Sequence, residues 1–511
     1  MAERKLVLVV VDAMHPGMLR RAMESGAAPT FAALAERGEL VDDMVSSFPS
    51  VTPVCCSEMM TGVGPAGHWV MGMNWFHRLE RRYIEYGSSF EATRTFGLFR
   101  AMYDLVYNMN LDHLSWEAET VFERLGDADV RTAATPFLIY RGRRRHELGL
   151  EGLVRRAAAA ANFRHAVWGP DEFFYGDLYA SRATGCGPSF TRPGTRDEYS
   201  ACVAEELVRE DSYDFLLLSL PDNDFHSHRF GPESTVDSIA KADASFARVV
   251  EAGGGLEPFL KAHAVVLTAD HAQSDVEHAL PLAEQLGEDW DVLLPNADRP
   301  EEAELAVSPT SRAGAVYLLD PGPAHEDVHR RVRDRLRELE GVDLAAWLSR
   351  PDGTAVERSG VGIEDDGELR AVVVRDGFEL SFRPGGQLRD ERGLGWRVEG
   401  EPEALGADIT RGRFETEEYP DGLSRLWSAL TAPHAGDVMV SAAGGYECVD
   451  WGGVSHAGGG SHGALSREDS LAPLLFVGCG PRKPRRRPWA LRDLAPTILE
   501  HFGIDGRRRG G

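Results

Sequence analysis

The sequence predicts an α/β fold: a mostly parallel central sheet flanked by helices. Three observations predict it. Residues 6–11 form a continuous β-type apolar run, the pattern of a strand buried on both faces. Apolar runs and helical patterns then alternate along the chain, as βα units do. Polar, chemistry-bearing residues stand just past several of these runs, where open α/β sheets bind their ligands.

Taken in order, the run 6–11 ends at Asp12, and helical patterns follow at 16–24 and 30–37. The segment Ser46-Ser47-Phe48-Pro49-Ser50-Val51-Thr52-Pro53 reads as a turn into a helix over 55–60. Thr52 suits its N-cap and Pro53 its first turn. Residues 66–128 are irregular and rich in aromatics, including Trp75, Tyr83, Tyr86, Phe96 and Tyr107, and read as a lid inserted over the sheet. Its aromatics are expected to form the lid's own core rather than a stacking platform. Helices are expected at 117–125, 147–162, 197–210, 234–251, 325–339 and 491–502, with mixed strand over 130–140. The charge run 143–146 is expected to be an exposed loop. Strands are expected at 213–220, 263–269 and 314–319. Short alternating runs between 345 and 410 read as a small β-rich insertion, and 437–441 and 471–477 as strands restoring the main sheet. Residues 506–511 are expected to be a mobile tail.

With 511 residues the chain can form two or more domains, or one large sheet domain with insertions. Apolar content of 43% and charged content of 27% are ordinary for a globular protein. The net charge of −26 argues against a nucleic-acid polymer as partner, because such binders present a basic face. It leaves small anionic substrates open, since bound metal reverses the local sign. The six cysteines form no CxxC pair, so reduced thiols and a cytoplasmic location are expected. The first residues read as a strand rather than a signal peptide, and no 18-residue apolar stretch predicts a membrane span.

The strongest chemical signal is Asp222-Asn223-Asp224-Phe225-His226-Ser227-His228, directly after the run 213–220. Two carboxylates beside two imidazoles offer O and N ligands suited to Zn²⁺. Asp12, the pair Asp270-His271 and the late His462 add further ligands at other strand ends. Singly, each has an ordinary explanation as a cap or a satisfied polar group. Jointly they point to two metals about 4 Å apart, which clamp the attacking and leaving oxygens of a displacement at phosphorus. A threonine hydroxyl needs activation to act as nucleophile, and Thr52 at a helix start gains from the amide dipoles there.

The set resembles the alkaline phosphatase superfamily, and most of all its type I phosphodiesterase / nucleotide pyrophosphatase branch. The matching pieces are Leu8-Val9-Val10-Val11-Asp12-Ala13, Phe48-Pro49-Ser50-Val51-Thr52-Pro53, Asp224-x-x-x-His228-x-x-Gly231-Pro232, Thr268-Ala269-Asp270-His271 and Gly460-Ser461-His462-Gly463, with Asp493 to Leu499 at the end. The resemblance implies an alkaline-phosphatase-like core over 1–65, 129–344 and 411–505. It implies that Asp12, Thr52, Asp270 and His271 surround one zinc, and that an Asp and a His from 222–228 hold the other with His462. Thr52 would form a covalent phospho-enzyme that water hydrolyses. The implied substrate is a small phosphorylated molecule, with a homodimer left open.

Two pairs in the 222–228 stretch have the four-residue spacing. Gly231-Pro232 after His228 favours Asp224 with His228; Pro221 before Asp222 favours Asp222 with His226. The first pair is taken as ligands, with Asp222, His226 and Cys55 on the substrate side. His456 competes with His462, whose Gly-Ser-His-Gly context is the family's. The chain departs from the family in lacking an asparagine between Thr52 and Asn74, and in carrying Ala272 where a glycine is usual. Those departures leave monoester, diester and phosphonate hydrolysis open. A metal-stabilised protein without catalysis is the remaining alternative, and Thr52 argues against it.

Overall fold

The computed structural model describes residues 4–149, 165–176, 178–187, 197–297, 299–320, 322–363, 367–481 and 487–506. The helix expected over 147–162 falls almost wholly outside them, as does nearly all of the expected tail.

At the centre is an eight-stranded sheet built around Lys5–Val11. This strand is Val- and Leu-rich and buried from Leu6 onward. It pairs in parallel with Phe215–Leu220 on one side and His263–Thr268 on the other. Thr132–Ala134 and Glu172–Tyr175 extend the parallel part beyond Phe215–Leu220. The edges are antiparallel: Leu471–Val477 pairs with His263–Thr268 and Glu39–Val45, and Tyr179–Ala180 pairs with Glu172–Tyr175. The mostly parallel sheet is therefore as expected. Helices cover it, among them Pro16–Glu24, Pro29–Ala35, Asp197–Arg209 and Val236–Ala252. The buried Asp243 carboxylate accepts the Thr30 and Phe31 amides at 3.2 and 2.6 Å, tying the start of Pro29–Ala35 to Val236–Ala252.

Register fixes where the chemistry goes. Val10 pairs with Thr268 and Val11 with Leu220. Two residues past the Val10–Thr268 pair on both strands stand Asp12 and Asp270, so both leave the sheet at one level. A three-stranded sheet places Ser274–Leu280 between Gly445–Cys448 and Gly460–Ser461, with Ser274 opposite Ser461. That pairing carries His462 back to the same rim.

The second large sheet differs from expectation. Nine strands between Leu305 and Ala442 form it, and Val438–Ala442 lies inside it rather than in the main sheet. The β-rich region thus begins well before residue 345 and ends well after 410. Ala313–Leu318 and Val438–Ala442 are buried along their whole length. An antiparallel strand covered on both faces has the same continuous apolar run as a parallel one, so pattern alone could not assign the sheet.

Three smaller corrections follow. Helix Thr52–Thr61 has Val51 as its cap, with Thr52 its first residue. Arg144–His146 is a strand paired with Val167–Gly169, and Arg143 bonds Glu119, Glu123 and Asp127. Cys186 and Cys202 form a disulfide, with Cα atoms 5.8 Å apart, while Cys55, Cys56, Cys448 and Cys479 are free. Disulfide pairing depends on proximity in space, which spacing in the chain does not reveal. The compartment reading that rested on six unpaired thiols loses that support. Among the described residues no helix is long and apolar enough to cross a membrane.

Candidate active site

Seven side chains from five parts of the chain meet at the carboxyl ends of the central strands. The Thr52 hydroxyl lies 3.2 Å from His271 Nε2. His271 Nε2 is 3.4 Å from Asp270 Oδ2 and 3.8 Å from Asp12 Oδ1. His228 Nε2 is 3.4 Å, and His462 Nε2 3.9 Å, from Asp224 Oδ1. Asp224 joins the two groups: its ligand atom lies within 4.8 Å of those of His228 and His462, and also of those of Asp12 and His271. The His271 and His462 rings stack at 3.8 Å.

The imidazoles share one orientation device. Nδ1 of His228 faces the Gly460 carbonyl at 2.9 Å, Nδ1 of His271 the Ala272 carbonyl at 3.1 Å, and Nδ1 of His462 the Ser50 carbonyl at 2.8 Å. A carbonyl only accepts, so each Nδ1 donates its proton and each Nε2 keeps a lone pair. All three lone pairs are directed at the carboxylate group. This is how metal-binding histidines are commonly held.

The carboxylates are under strong mutual influence. Burial, with Asp270 and Asp224 close by, pushes the Asp12 carboxyl well above its usual range. Burial opposes the charge of Asp224 too, but His228 and then His462 and His271 outweigh it and hold its carboxyl low. Burial alone would lower His228; Asp224 reverses that and raises it. Burial and the neighbouring His271 push His462 well down. Asp12 Oδ1 and Asp270 Oδ2 are buried without a hydrogen-bond partner.

Helix Asp222–Phe230 explains which Asp–His pair reaches the site. Residues four apart share a face, whereas residues two apart are turned by about 200°. Asp224 and His228 face the rim. Asp222 exchanges hydrogen bonds with Asp197: its Oδ2 accepts the Asp197 amide at 3.3 Å, and its amide donates to Asp197 Oδ1 at 3.0 Å. His226 Nε2 meets the Ser234 carbonyl at 3.2 Å, on a surface groove with Arg21 and Phe230. Neither stands on the substrate side. Cys55 is fully buried with its thiol pushed up by burial, and Cys56 takes its place on the cavity wall.

A cavity of about 300 Å³ opens over Thr52, Asp12, Asp224, His228, Asp270 and His462. Its outer walls are largely apolar, formed by Met73, Leu105, Phe137, Leu138, Tyr175 and Phe225. Among the described aromatics of 66–128, Tyr86 lines it. Trp75, Phe76, Tyr83 and Phe96 are buried in the main core shared with the central sheet, and Tyr107 in a smaller cluster with Tyr140 and Phe173, rather than in a separate core of 66–128 as expected. Two residues at the site were not singled out from sequence. Gln273 donates from Nε2 to Asp224 Oδ1 at 2.5 Å. Glu447 bonds His456 Nδ1 at 2.8 Å and the Ser461 hydroxyl at 2.6 Å, which places His456 on the cavity wall beside His228. The only available signal was their nearness in sequence to Asp270-His271 and His456.

The sequence matches the model of the family "Type I phosphodiesterase / nucleotide pyrophosphatase" over residues 6–381. The chain belongs to this family. It is accordingly a phosphoester hydrolase by family. No curated protein matches the sequence. Among solved structures, it is similar to phosphonoacetate hydrolase from Sinorhizobium meliloti in complex with phosphonoformate, at 16% identity and a TM-score of 0.54, covering 98% of this chain and 96% of that one. It is also similar to human ectonucleotide pyrophosphatase / phosphodiesterase 5, at 12% identity and a TM-score of 0.56, covering 99% and 97%. An inactive threonine-to-alanine form of the murine protein, in complex with AMP, matches at 10% identity and a TM-score of 0.54, again covering 99% and 97%. At such identities the likeness is one of fold, and the alkaline-phosphatase-like architecture is shared across nearly the whole of both chains.

Proposed function

We propose that the chain hydrolyses small phosphate esters with Thr52 as nucleophile, through a covalent phosphothreonine, at a site for two divalent ions, Zn²⁺ first among them. The observation that carries this reading is the convergence of Thr52 with three carboxylates and three Nε2 lone pairs at one rim.

The residues present fit two ions. Buried Asp12 Oδ1 and Asp270 Oδ2 lack partners, and the mixed N and O donor set suits zinc. Asp12, Thr52, Asp270 and His271 would hold one ion, and Asp224, His228 and His462 the other. Bound there, the ions would supply Lewis-acid stabilisation to the charge that develops on the attacking and leaving oxygens. The chain's own part is positional. Helix Thr52–Thr61 directs its amide dipoles at Thr52, favouring negative charge there. Thr52 Oγ1, its proton given up to solvent, bonds to phosphorus as the bond to the leaving-group oxygen breaks, and the leaving group takes up a proton from solvent. Water then attacks the phosphothreonine and returns the hydroxyl.

The cavity bears on the choice between ester and phosphonate. Among the described residues the lining holds no Lys or Arg, the side chains that pair best with a carboxylate such as phosphonoacetate carries. Apolar walls favour an aryl or other apolar leaving group.

The test is turnover of p-nitrophenyl phosphate, bis-p-nitrophenyl phosphate and phosphonoacetate by zinc-loaded protein, before and after chelation. Chelator-sensitive release of p-nitrophenol from either ester is expected. Cleavage of phosphonoacetate alone would replace the ester reading with the phosphonate one.

A further inference from the structure

We propose that the lid carries a second divalent-cation site, apart from the active site, in which His113 Nε2 and the carboxylates of Glu80 and Asp112 hold a first-row transition ion such as Zn²⁺. Ligand-capable atoms of these three residues lie within 4.8 Å of one another. Clusters of exposed acids are common on protein surfaces and mean little alone. The second observation is the imidazole. His113 is 2% exposed, and its Nε2 is buried without a hydrogen-bond partner. That nitrogen faces Glu80 Oε1 at 3.9 Å, too long for a hydrogen bond. Two ligands of one tetrahedral zinc, at bonds of about 2.1 Å, stand about 3.4 Å apart. A small rotation of the partly exposed Glu80 side chain closes the difference.

The surroundings orient these ligands. Tyr86 Oη lies 2.7 Å from His113 Nδ1 and fixes the ring with Nε2 toward the carboxylates. His77 Nδ1 accepts the Glu80 amide at 3.1 Å, so its proton sits on Nε2, which faces Glu80 Oε1 at 3.6 Å. His77 is thus a positioning residue for Glu80 and not itself a ligand. Arg82 holds the other Glu80 oxygen and forks onto Asp104 at 2.7 and 2.9 Å. Around the site, Glu80, Asp104 and Asp112 outnumber Arg82 and Arg100, so the neighbourhood keeps net negative charge when its imidazoles are neutral. One imidazole and two carboxylates match a borderline divalent ion better than a soft one. Tyr86 also lines the catalytic cavity, so an ion here would brace that wall.

The test is metal counting by mass spectrometry on zinc-loaded protein, wild type against the near-isosteric double variant Glu80→Gln/Asp112→Asn. The expected result is one zinc fewer per chain in the variant. A companion variant, His228→Gln/His462→Gln, is expected to lose zinc at the active site and keep the lid ion, so the two sites are read separately. Equal zinc in wild type and the Glu80/Asp112 variant overturns the proposal. Should that variant fail to fold, anomalous diffraction from zinc-soaked wild-type crystals decides: a peak within bonding distance of His113 Nε2 supports the site, and its absence overturns it.

Discussion

The Thr52 hydroxyl lies 3.2 Å from His271 Nε2, across 219 residues of sequence. Because His271 Nδ1 faces a carbonyl, Nε2 is the acceptor, and the hydroxyl points its proton into the site. This contact ties the start of a helix to the end of a strand, and it puts the proposed nucleophile against the ligand group.

Replacing Thr52 with alanine tests the contact directly. Removing a nucleophile costs several orders of magnitude elsewhere, so a fall in kcat of roughly 10³-fold or more is expected. Metal content should stay near that of the wild type, since Asp12, Asp270 and His271 remain. Initial rates and metal analysis on the same preparation check both halves. An alanine variant that kept wild-type turnover would remove Thr52 from the chemistry.

A second prediction separates the two Asp–His pairs on helix Asp222–Phe230. His228→Ala should lose about one zinc per chain and most activity, because few ligands hold each ion. His226→Ala should keep both active-site ions, since its ring meets the Ser234 carbonyl away from the rim. The opposite pattern in metal analysis would reverse the ligand choice.

Much of this was legible beforehand, and the reasons differ by residue. Asp12 and Asp270-His271 follow apolar runs, and in a parallel sheet the end of a run is a place in space. The assignment of Val438–Ala442 was not legible, because burial on both faces erases the alternation that marks an antiparallel strand. Asp222 and His226 shared the spacing of the ligand pair but not its helix face. Gln273 and the histidines around Glu80 carry no local pattern; only the folded chain brings them to their partners.

Glu85 gives the pH prediction. Its buried carboxylate accepts the Gly87 and Ser88 amides at 2.8 and 2.5 Å, and so shapes a loop on the cavity wall. Burial pushes its pKa up to about 7 from 4.5. Between those values the folded state holds a proton that the unfolded state has lost, so this group's contribution to stability falls as pH rises through the window. The whole change is about 3 kcal/mol, reached above pH 7. Urea unfolding at pH 5, 6 and 7.5 should therefore show a steeper decline for wild type than for Glu85→Gln, which has no carboxyl to ionise. Parallel declines would mean that burial does not perturb this group.

Phe225 supplies the last prediction. It sits beside Asp224 on the same helix, is 60% exposed, and lines the cavity mouth. A large exposed ring so close to the ligands has area left to bury against a substrate. Covering about half of a phenylalanine side chain is worth roughly 1.4 kcal/mol, or a factor of about ten. Phe225→Ala should raise KM for p-nitrophenyl phosphate by about that factor and leave kcat near wild type, because the ring meets the leaving group equally well before and during bond breaking. A small alkyl phosphate offers it nothing to cover and should show no change in KM. If both substrates lose equally, or kcat falls instead, the ring supports the helix and not the substrate, and the apolar wall would no longer argue for an aryl leaving group.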